Sequence, residues 1–268
     1  MHFFQTMSKE NIMSLLFQIV MIYFILACFA YFFSNKLIFQ KPRSGYRDSE
    51  SVIKLKTRDG ALISAVYFSN ERAKYVILFN HGNATDIGYS VPLFQMLYHA
   101  GFSVLAYDYH GYGTSQGSPT ESNAYQDVDA AYDYLTKDLQ IEPDRIIAYG
   151  ESVGAALAID LASRKKVAGV IAQSPFVTAF RVITSIPLFP FDKFNNLKKL
   201  KQISCPMLVI HGTRDLVIPV WHGKKVYKRA NPPKYSYWVQ GAGHNDIFLI
   251  AGERYLEVLD EFVSKLEK

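Results

Sequence analysis

Apolar and polar residues are distributed along this chain in three ways, and each predicts a different element. Residues 12–33, "IMSLLFQIVMIYFILACFAYFF", carry no charge. A helix of about 22 residues rises roughly 33 Å, enough to cross a bilayer core. Tyr31, Phe32 and Phe33 gather at its end, where an interfacial aromatic belt belongs. After a polar connector, 34–49, the period falls to two. "SVIKLKT" sets Val52, Ile53 and Leu55 among polar residues, Asp59-Gly60 marks a tight turn, and "ALISAVYF" returns, as an antiparallel pair would. From there on, short apolar runs at 75–79, 103–107, 145–149, 167–172, 207–210 and 234–239 alternate with helical stretches. The helices fall at about 90–99, 124–139, 153–164, 223–230 and 251–268. This alternation predicts an α/β fold, a mostly parallel central sheet with helices on both faces. The chain divides into a tail (1–11), one transmembrane anchor (12–33), a connector (34–49) and a single α/β domain (50–268). An irregular insertion at about 174–202 forms a short cap.

Composition changes this picture little. The chain has 268 residues, 49% hydrophobic and 20% charged, as expected of one large folded domain. The net charge of +5 is spread over Arg164-Lys165-Lys166, Lys198-Lys199-Lys201 and Lys224-Lys225-Lys228-Arg229, which read as solvated helix faces. No nucleic-acid partner is expected. Cys28 lies in the apolar run and Cys205 before a strand, so no disulfide is expected. A cleaved signal peptide is the rival for residues 12–33, but its apolar core spans only about 7–15 residues. Ile25-Leu26-Ala27-Cys28 resembles a lipoprotein cleavage box, yet Leu26 is large for its place and the residues after Cys28 stay apolar. The flanks favour an uncleaved anchor with its C-terminal side in the cytoplasm: Lys9 on one side, Lys36, Lys41, Arg43 and Arg47 on the other.

In such sheets ligands sit beyond the C-terminal ends of the strands, and there the chain concentrates its chemistry. Asn80-His81-Gly82-Asn83 follows the third strand, "DYHGYGTSQG" the fourth, Gly150-Glu151-Ser152-Val153-Gly154 the fifth, "HGTRDLVIP" the seventh and "GAGHND" the eighth. A serine hydroxyl needs a base to take its proton, and the base needs a group to orient it. Ser152, between a strand and a helix, is the candidate nucleophile. His244 is the candidate base and Asp215 its orienting acid; Asp246 and Asp108 compete for that last role, and the chain order Ser, Asp, His favours Asp215. The oxyanion donors are expected to be the backbone N–H groups of Val153 and Asn83. His211, His222 and His99 read as structural, and His110 as a group that borders the pocket at most. The histidines are scattered and the cysteines lone, so neither a metal nor a cofactor is expected.

Taken in order, His81-Gly82-Asn83, Gly111-Tyr112-Gly113, Gly150–Gly154, His211 to Asp215 and Gly243 to Asp246 make the chain resemble an α/β-hydrolase from about Val52 to its end. The closer resemblance is to a short-cap, membrane-associated branch that includes the eukaryotic protein depalmitoylases and bacterial serine aminopeptidase-like hydrolases. Those depalmitoylases carry a cysteine-rich N-terminus where this chain has its apolar run. The resemblance implies a serine hydrolase with water as its only co-substrate.

The cap is oily. Phe176, Phe180, Leu188 and Phe189 are candidate pocket residues, and Ile186 to Phe191 is too proline-broken for a regular helix. With a bilayer anchor, this favours an acyl ester or thioester substrate. Two alternatives stay open: a serine aminopeptidase, for which Glu151 would bind the substrate amine, and a tethered binding protein with a vestigial triad.

Overall fold

The computed structural model describes residues 9–266. It contains two compact units divided after Ile38. The first is helix α1, Lys9–Ile38, with 30 residues and a mean hydropathy of 2.5 over its most apolar window. Among the described residues it is the one helix long and apolar enough to cross a membrane. It starts before and ends after the charge-free run, because the flanking residues include helix formers such as Lys9, Glu10 and Lys36.

The second unit is built on eight strands: β1 (Ile53–Lys56), β2 (Leu62–Phe68), β3 (Val76–Asn80), β4 (Ser103–Tyr107), β5 (Ile146–Glu151), β6 (Gly169–Gln173), β7 (Met207–Gly212) and β8 (Lys234–Val239). They form one sheet in the order β1-β2-β4-β3-β5-β6-β7-β8. β2 is antiparallel to both β1 and β4, and the other pairs are parallel. The helices are α2 (Val91–His99), α3 (Glu121–Asp133), α4 (Val153–Arg164), α5 (Asn196–Lys199), α6 (Trp221–Arg229), α7 (Ile247–Ala251) and α8 (Glu253–Leu266). Every residue of β3, β4 and β6 is buried, as a strand covered on both faces must be. α8 buries Tyr255, Val258, Leu259 and Phe262, the spacing of one helical stripe. α3 stops at Asp133 and passes into a single π turn at Tyr134–Asp138, short of the α-helix expected to residue 139.

Residues 39–49 are not a free connector. Phe39 is buried, with its ring against Tyr112 and Phe194 at centroid distances of 6.5 and 6.0 Å. Gln40 N–H donates to Asn83 Oδ1 at 2.8 Å, Gly45 N–H to Asp86 Oδ2 at 2.7 Å, and Tyr46 O–H to Asp108 Oδ2 at 2.5 Å. The stretch is a strap across the loops that follow β3 and β4. Its polar composition conceals this, because it is held by hydrogen bonds more than by apolar contact.

Two glycines set how closely α4 approaches the sheet. A Cβ on Gly154 would lie 2.0 Å from Asn80 O, and one on Gly150 would lie 2.0 Å from Gly154 O. In both cases the obstacle is backbone and cannot rotate away. Gly154→Ala is therefore expected to push α4 off β3 at a cost of about 3 kcal/mol, lowering Tm by about 6–12 °C. Thermal unfolding followed by circular dichroism checks this. Gly243→Ala, whose Cβ would meet Asp246 Oδ1 at 3.4 Å, is the matched variant expected to unfold near the wild-type temperature.

Candidate active site

Ser152 joins β5 to α4 with φ 54° and ψ −113°. A non-glycine residue at positive φ is strained, and here the strain lifts the serine out of the strand at the sheet's C-terminal edge. Its N–H donates to Gln173 O at 2.9 Å and its C=O accepts from Ala155 N–H at 3.1 Å, so backbone on both sides fixes the turn. Val153 is the first residue of α4, where an N–H has no acceptor within the helix. The turn after β3 approaches the same point: a Cβ on Gly82 would lie 3.8 Å from Ser152 Cβ. That turn is held by His81, whose Nδ1 donates to Gly82 O at 2.7 Å and whose ring stacks on Tyr109 with centroids 4.1 Å apart. The Asn83 side chain faces away from any substrate role, since Oδ1 accepts from Tyr112 O–H at 2.8 Å as well as from Gln40.

Asp215 and His244 come together, 29 residues apart in sequence, because β7 and β8 are parallel neighbours. His244 Nδ1 lies 2.7 Å from Asp215 Oδ2. The carboxylate is fully buried, and the imidazole keeps 13% of its side-chain surface, so the acid is shielded and the base is accessible. Asp215 Oδ1 accepts from Val217 N–H at 2.9 Å and Ile218 N–H at 2.7 Å, and His211 Nε2 lies 3.3 Å from Oδ2. Burial alone would raise its pKa. The donors His211 and His244, the His244 charge and the Ile218 N–H outweigh burial and hold the carboxyl well below the usual carboxylate range. Among the described residues no hydrogen bond joins Ser152 Oγ to the His244 ring, whose Nε2 is left over by the Nδ1 contact with Asp215.

The competing acids are committed elsewhere. Asp108 accepts from Tyr46 O–H and from Ile87 N–H at 2.9 Å, and Asp246 Oδ1 accepts from Gly243 N–H at 2.6 Å, within its own loop. His110 does not border the site. It is buried, with Nδ1 2.5 Å from Asp127 Oδ1 and Nε2 3.3 Å from Asp59 Oδ2, because Asp127 on α3 and the β1–β2 turn enclose it. His222 accepts Val177 N–H at Nδ1, and burial with the neighbouring His211 lowers its pKa to about 4, which keeps it neutral. His211 was legible as structural, but its second contact with Asp215 has no signal in the sequence. Burial pushes the Cys205 thiol up to about 11, leaving no reactive thiolate there.

The cap is irregular through its proline-rich stretch, with a 3-10 turn at Phe180–Val182, and ends in α5 and a second 3-10 turn at Leu200–Gln202. Phe180, Phe189 and Phe191 form a ring cluster with centroids 5.6–6.1 Å apart. Phe176 is buried against Phe194 and packs the base of the cap, so it is not an open pocket wall. Leu188 is exposed, as are Ile183 and Ile186. Sequence reasoning missed a further apolar surface. Leu216 and Val217 directly follow Asp215, Leu249 and Ile250 lie just past His244, and Leu216 is 93% exposed. An apolar pair directly after Asp215 in an otherwise polar loop was the available signal.

The family model described as "Serine aminopeptidase, S33" matches residues 71–190. The chain is 39% identical over 223 residues to alpha/beta hydrolase domain-containing protein 17B of Homo sapiens, covering 82% of this chain and 77% of that one. It is 42% identical over 195 residues to alpha/beta hydrolase domain-containing protein 17C of Mus musculus, covering 72% and 60%. Among solved structures, the Pyrococcus furiosus esterase Pf2001 superposes with a TM-score of 0.72 at 22% identity, covering 84% of this chain and 98% of that one. The Pyrococcus horikoshii acylaminoacyl peptidase superposes with a TM-score of 0.66 at 16% identity, covering 81% and 41%. An esterase and a peptidase thus share this fold, and the fold does not choose between their reactions.

Proposed function

This chain belongs to the α/β-hydrolase superfamily, in the family of the alpha/beta hydrolase domain-containing 17 proteins, and from that premise we propose that it is a membrane-anchored serine hydrolase of acyl esters or thioesters. The observation that carries this reading is the pairing of the buried Asp215 with the accessible His244, 2.7 Å apart, at the same sheet edge as a serine held at φ 54°.

The chemistry follows from the donors. Asp215 accepts from His244 Nδ1, which leaves the Nε2 lone pair as the base. His244 Nε2 takes the Ser152 proton as Oγ attacks the acyl carbonyl. The resulting oxyanion is met by the N–H groups of Val153 and Asn83. The tetrahedral centre collapses by breaking the bond to the alkoxide or thiolate leaving group, which receives the proton from His244. Water then gives His244 a proton and adds to the acyl carbon, Ser152 Oγ leaves and is reprotonated, and the carboxylate departs.

The α1 helix would tether the domain, with Lys36, Lys41, Arg43 and Arg47 keeping it on the cytoplasmic side. The peptidase alternative needs an ionised carboxylate open to a substrate amine. Glu151 serves that poorly, because burial pushes its carboxyl up to about 7 and Gln173 occupies Oε1 at 2.9 Å.

Fluorophosphonate labelling of the membrane-bound protein tests the reading: a labelled band that vanishes in Ser152→Ala supports it, and an unlabelled, folded wild type removes it. Substrate class is read from p-nitrophenyl esters of increasing chain length. Each acyl methylene buried by the cap contributes about 0.8 kcal/mol. Deleting residues 187–191 is therefore expected to cost long-chain esters about tenfold or more while acetate changes little. Equal losses on both would remove the acyl role of the cap.

A further inference from the structure

The strap begins at Phe39, the residue after α1, and the mechanism above does not use it. It grips the loops after β3 and β4 at three points. At the first, Phe39 is buried against Tyr112 and Phe194, and Asn83 Oδ1 accepts from Gln40 N–H and from Tyr112 O–H, each at 2.8 Å. At the second, Asp86 Oδ2 accepts from Gly45 N–H at 2.7 Å while Oδ1 accepts from Tyr89 N–H at 3.1 Å. The backbones touch here: a Cβ on Gly88 would lie 2.9 Å from Gly45 C. At the third, Tyr46 O–H donates to Asp108 Oδ2, and Asp108 Oδ1 accepts from Ile87 N–H at 2.9 Å. Burial and the Asp108 charge raise the Tyr46 pKa, so the hydroxyl keeps the proton it donates.

The first of these grips ends on the turn at 81–83. His81, at the start of the turn, is fixed from the β4 side: Tyr109 O–H donates to His81 O, and the two rings stack. Asn83, at its end, is fixed through its side chain by the strap and by Tyr112. Gly82 lies between them, and a Cβ there would stand 3.8 Å from Ser152 Cβ, so the turn lies beside the candidate nucleophile. An oxyanion donor has to be aimed before the charge develops. A peptide group in a loop has no ladder to aim it, so its direction depends on what its side chain is tied to.

We propose that the segment joining the apolar helix to the domain is a positioning element of the active site: the Gln40 peptide, acting through the Asn83 side chain, aims the Asn83 N–H at the oxyanion. The proposal rests on the triad and oxyanion reading above. It gives the strap a consequence for the reaction rate that a linker would not have. The donor is a backbone N–H, which every residue except proline supplies, so the contact leaves no mark in the sequence at position 40. Gln40→Pro removes the donor. Asn83→Ala removes the acceptor and keeps the backbone N–H at 83.

The experiment is a double-mutant cycle of these two changes in the detergent-solubilised full chain, with Tm measured for each variant. The readouts are kcat/KM for p-nitrophenyl acetate and Ki for a trifluoromethyl ketone and for the corresponding alcohol. With the ketone, Ser152 Oγ bonds to the carbonyl carbon, its proton passes to His244, and the carbonyl oxygen becomes the oxyanion. The alcohol fills the same pocket and forms none. Each single variant is expected to lower kcat/KM about tenfold or more, short of the roughly 10²–10³ for loss of a whole donor. The ketone Ki should rise by the same factor, with the alcohol Ki and Tm near wild type. The double variant should be no slower than Asn83→Ala alone, because donor and acceptor act as one pair. A merely structural strap lowers Tm and weakens ketone and alcohol alike. That pattern, losses that multiply in the double variant, or single variants indistinguishable from wild type each overturn the proposal. If Gln40→Pro does not fold, Tyr112→Phe, which removes the other donor to Asn83 Oδ1, takes its place in the cycle. A wild type that the ketone does not inhibit would remove the triad and oxyanion reading itself, whereas ketone-sensitive variants that keep their rate remove only this inference.

Discussion

Ser152→Ala will lower kcat for a short-chain ester by about 10⁵–10⁶-fold while leaving KM and Tm close to wild type. In the proposed mechanism this change removes the atom that forms the covalent intermediate. The residual rate comes from substrate binding and the oxyanion donors, which survive the change. Stability should hold because the turn at 152 is fixed by backbone bonds to Gln173 and Ala155 and not by the hydroxyl. Burst-phase kinetics with p-nitrophenyl acetate check this, since the acyl-enzyme burst should vanish as well as the steady state. A burst that persists in the variant would place the nucleophile elsewhere.

The second large effect is expected at Asp215. Asp215→Asn changes one atom and should cost about 10⁴-fold in kcat, and the structure gives the reason. Val217 and Ile218 N–H groups both donate to Oδ1, so an asparagine must place its carbonyl oxygen there. Its NH₂ group then points to the Oδ2 position, facing His244 Nδ1 and His211 Nε2. Meeting a donor, His244 must turn its Nδ1 into an acceptor and carry its proton on Nε2, the atom that has to accept from Ser152. The base is lost through its tautomer while the fold is preserved. His211 Nε2–H retains its other acceptor, Ile218 O at 2.8 Å, so only modest destabilisation is expected there. A near-wild-type Tm with kcat down by four orders, and KM little changed, is the expected pattern. A kcat within tenfold of wild type would remove Asp215 from the triad.

The parts of this site that were legible in the sequence are those whose information is local. Gly150 and Gly154 flank Ser152 because a Cβ at either would stand 2.0 Å from backbone, and that restriction leaves its mark in five consecutive residues. β3 to β7 were legible because strands buried on both faces are near-continuous apolar runs, and β8, only partly buried, was legible from its aromatic residues. The candidate partners of Ser152 were legible because Asp215 and His244 each lie in the loop that follows a strand. The charge-free stretch within Lys9–Ile38 is equally local.

What the chain alone left hidden concerns pairings of polar groups far apart in sequence. The strap at 39–49 reads as a linker because Gln40, Gly45 and Tyr46 find Asn83, Asp86 and Asp108 only after the sheet has formed. His110 reads as a pocket residue until α3 brings Asp127 to it. Glu151 reads as an amine-binding candidate until β6 brings Gln173 to its carboxylate and burial pushes that carboxyl up to about 7. The sequence by itself determined the fold class, the order of strands along the chain and which candidate residues follow them, because hydrophobic period and glycine placement act between near neighbours. Tertiary structure alone decided which polar side chains share a proton and at what pH each is charged. Those properties come from desolvation and from partners distant in sequence, and neither exists until the chain is folded.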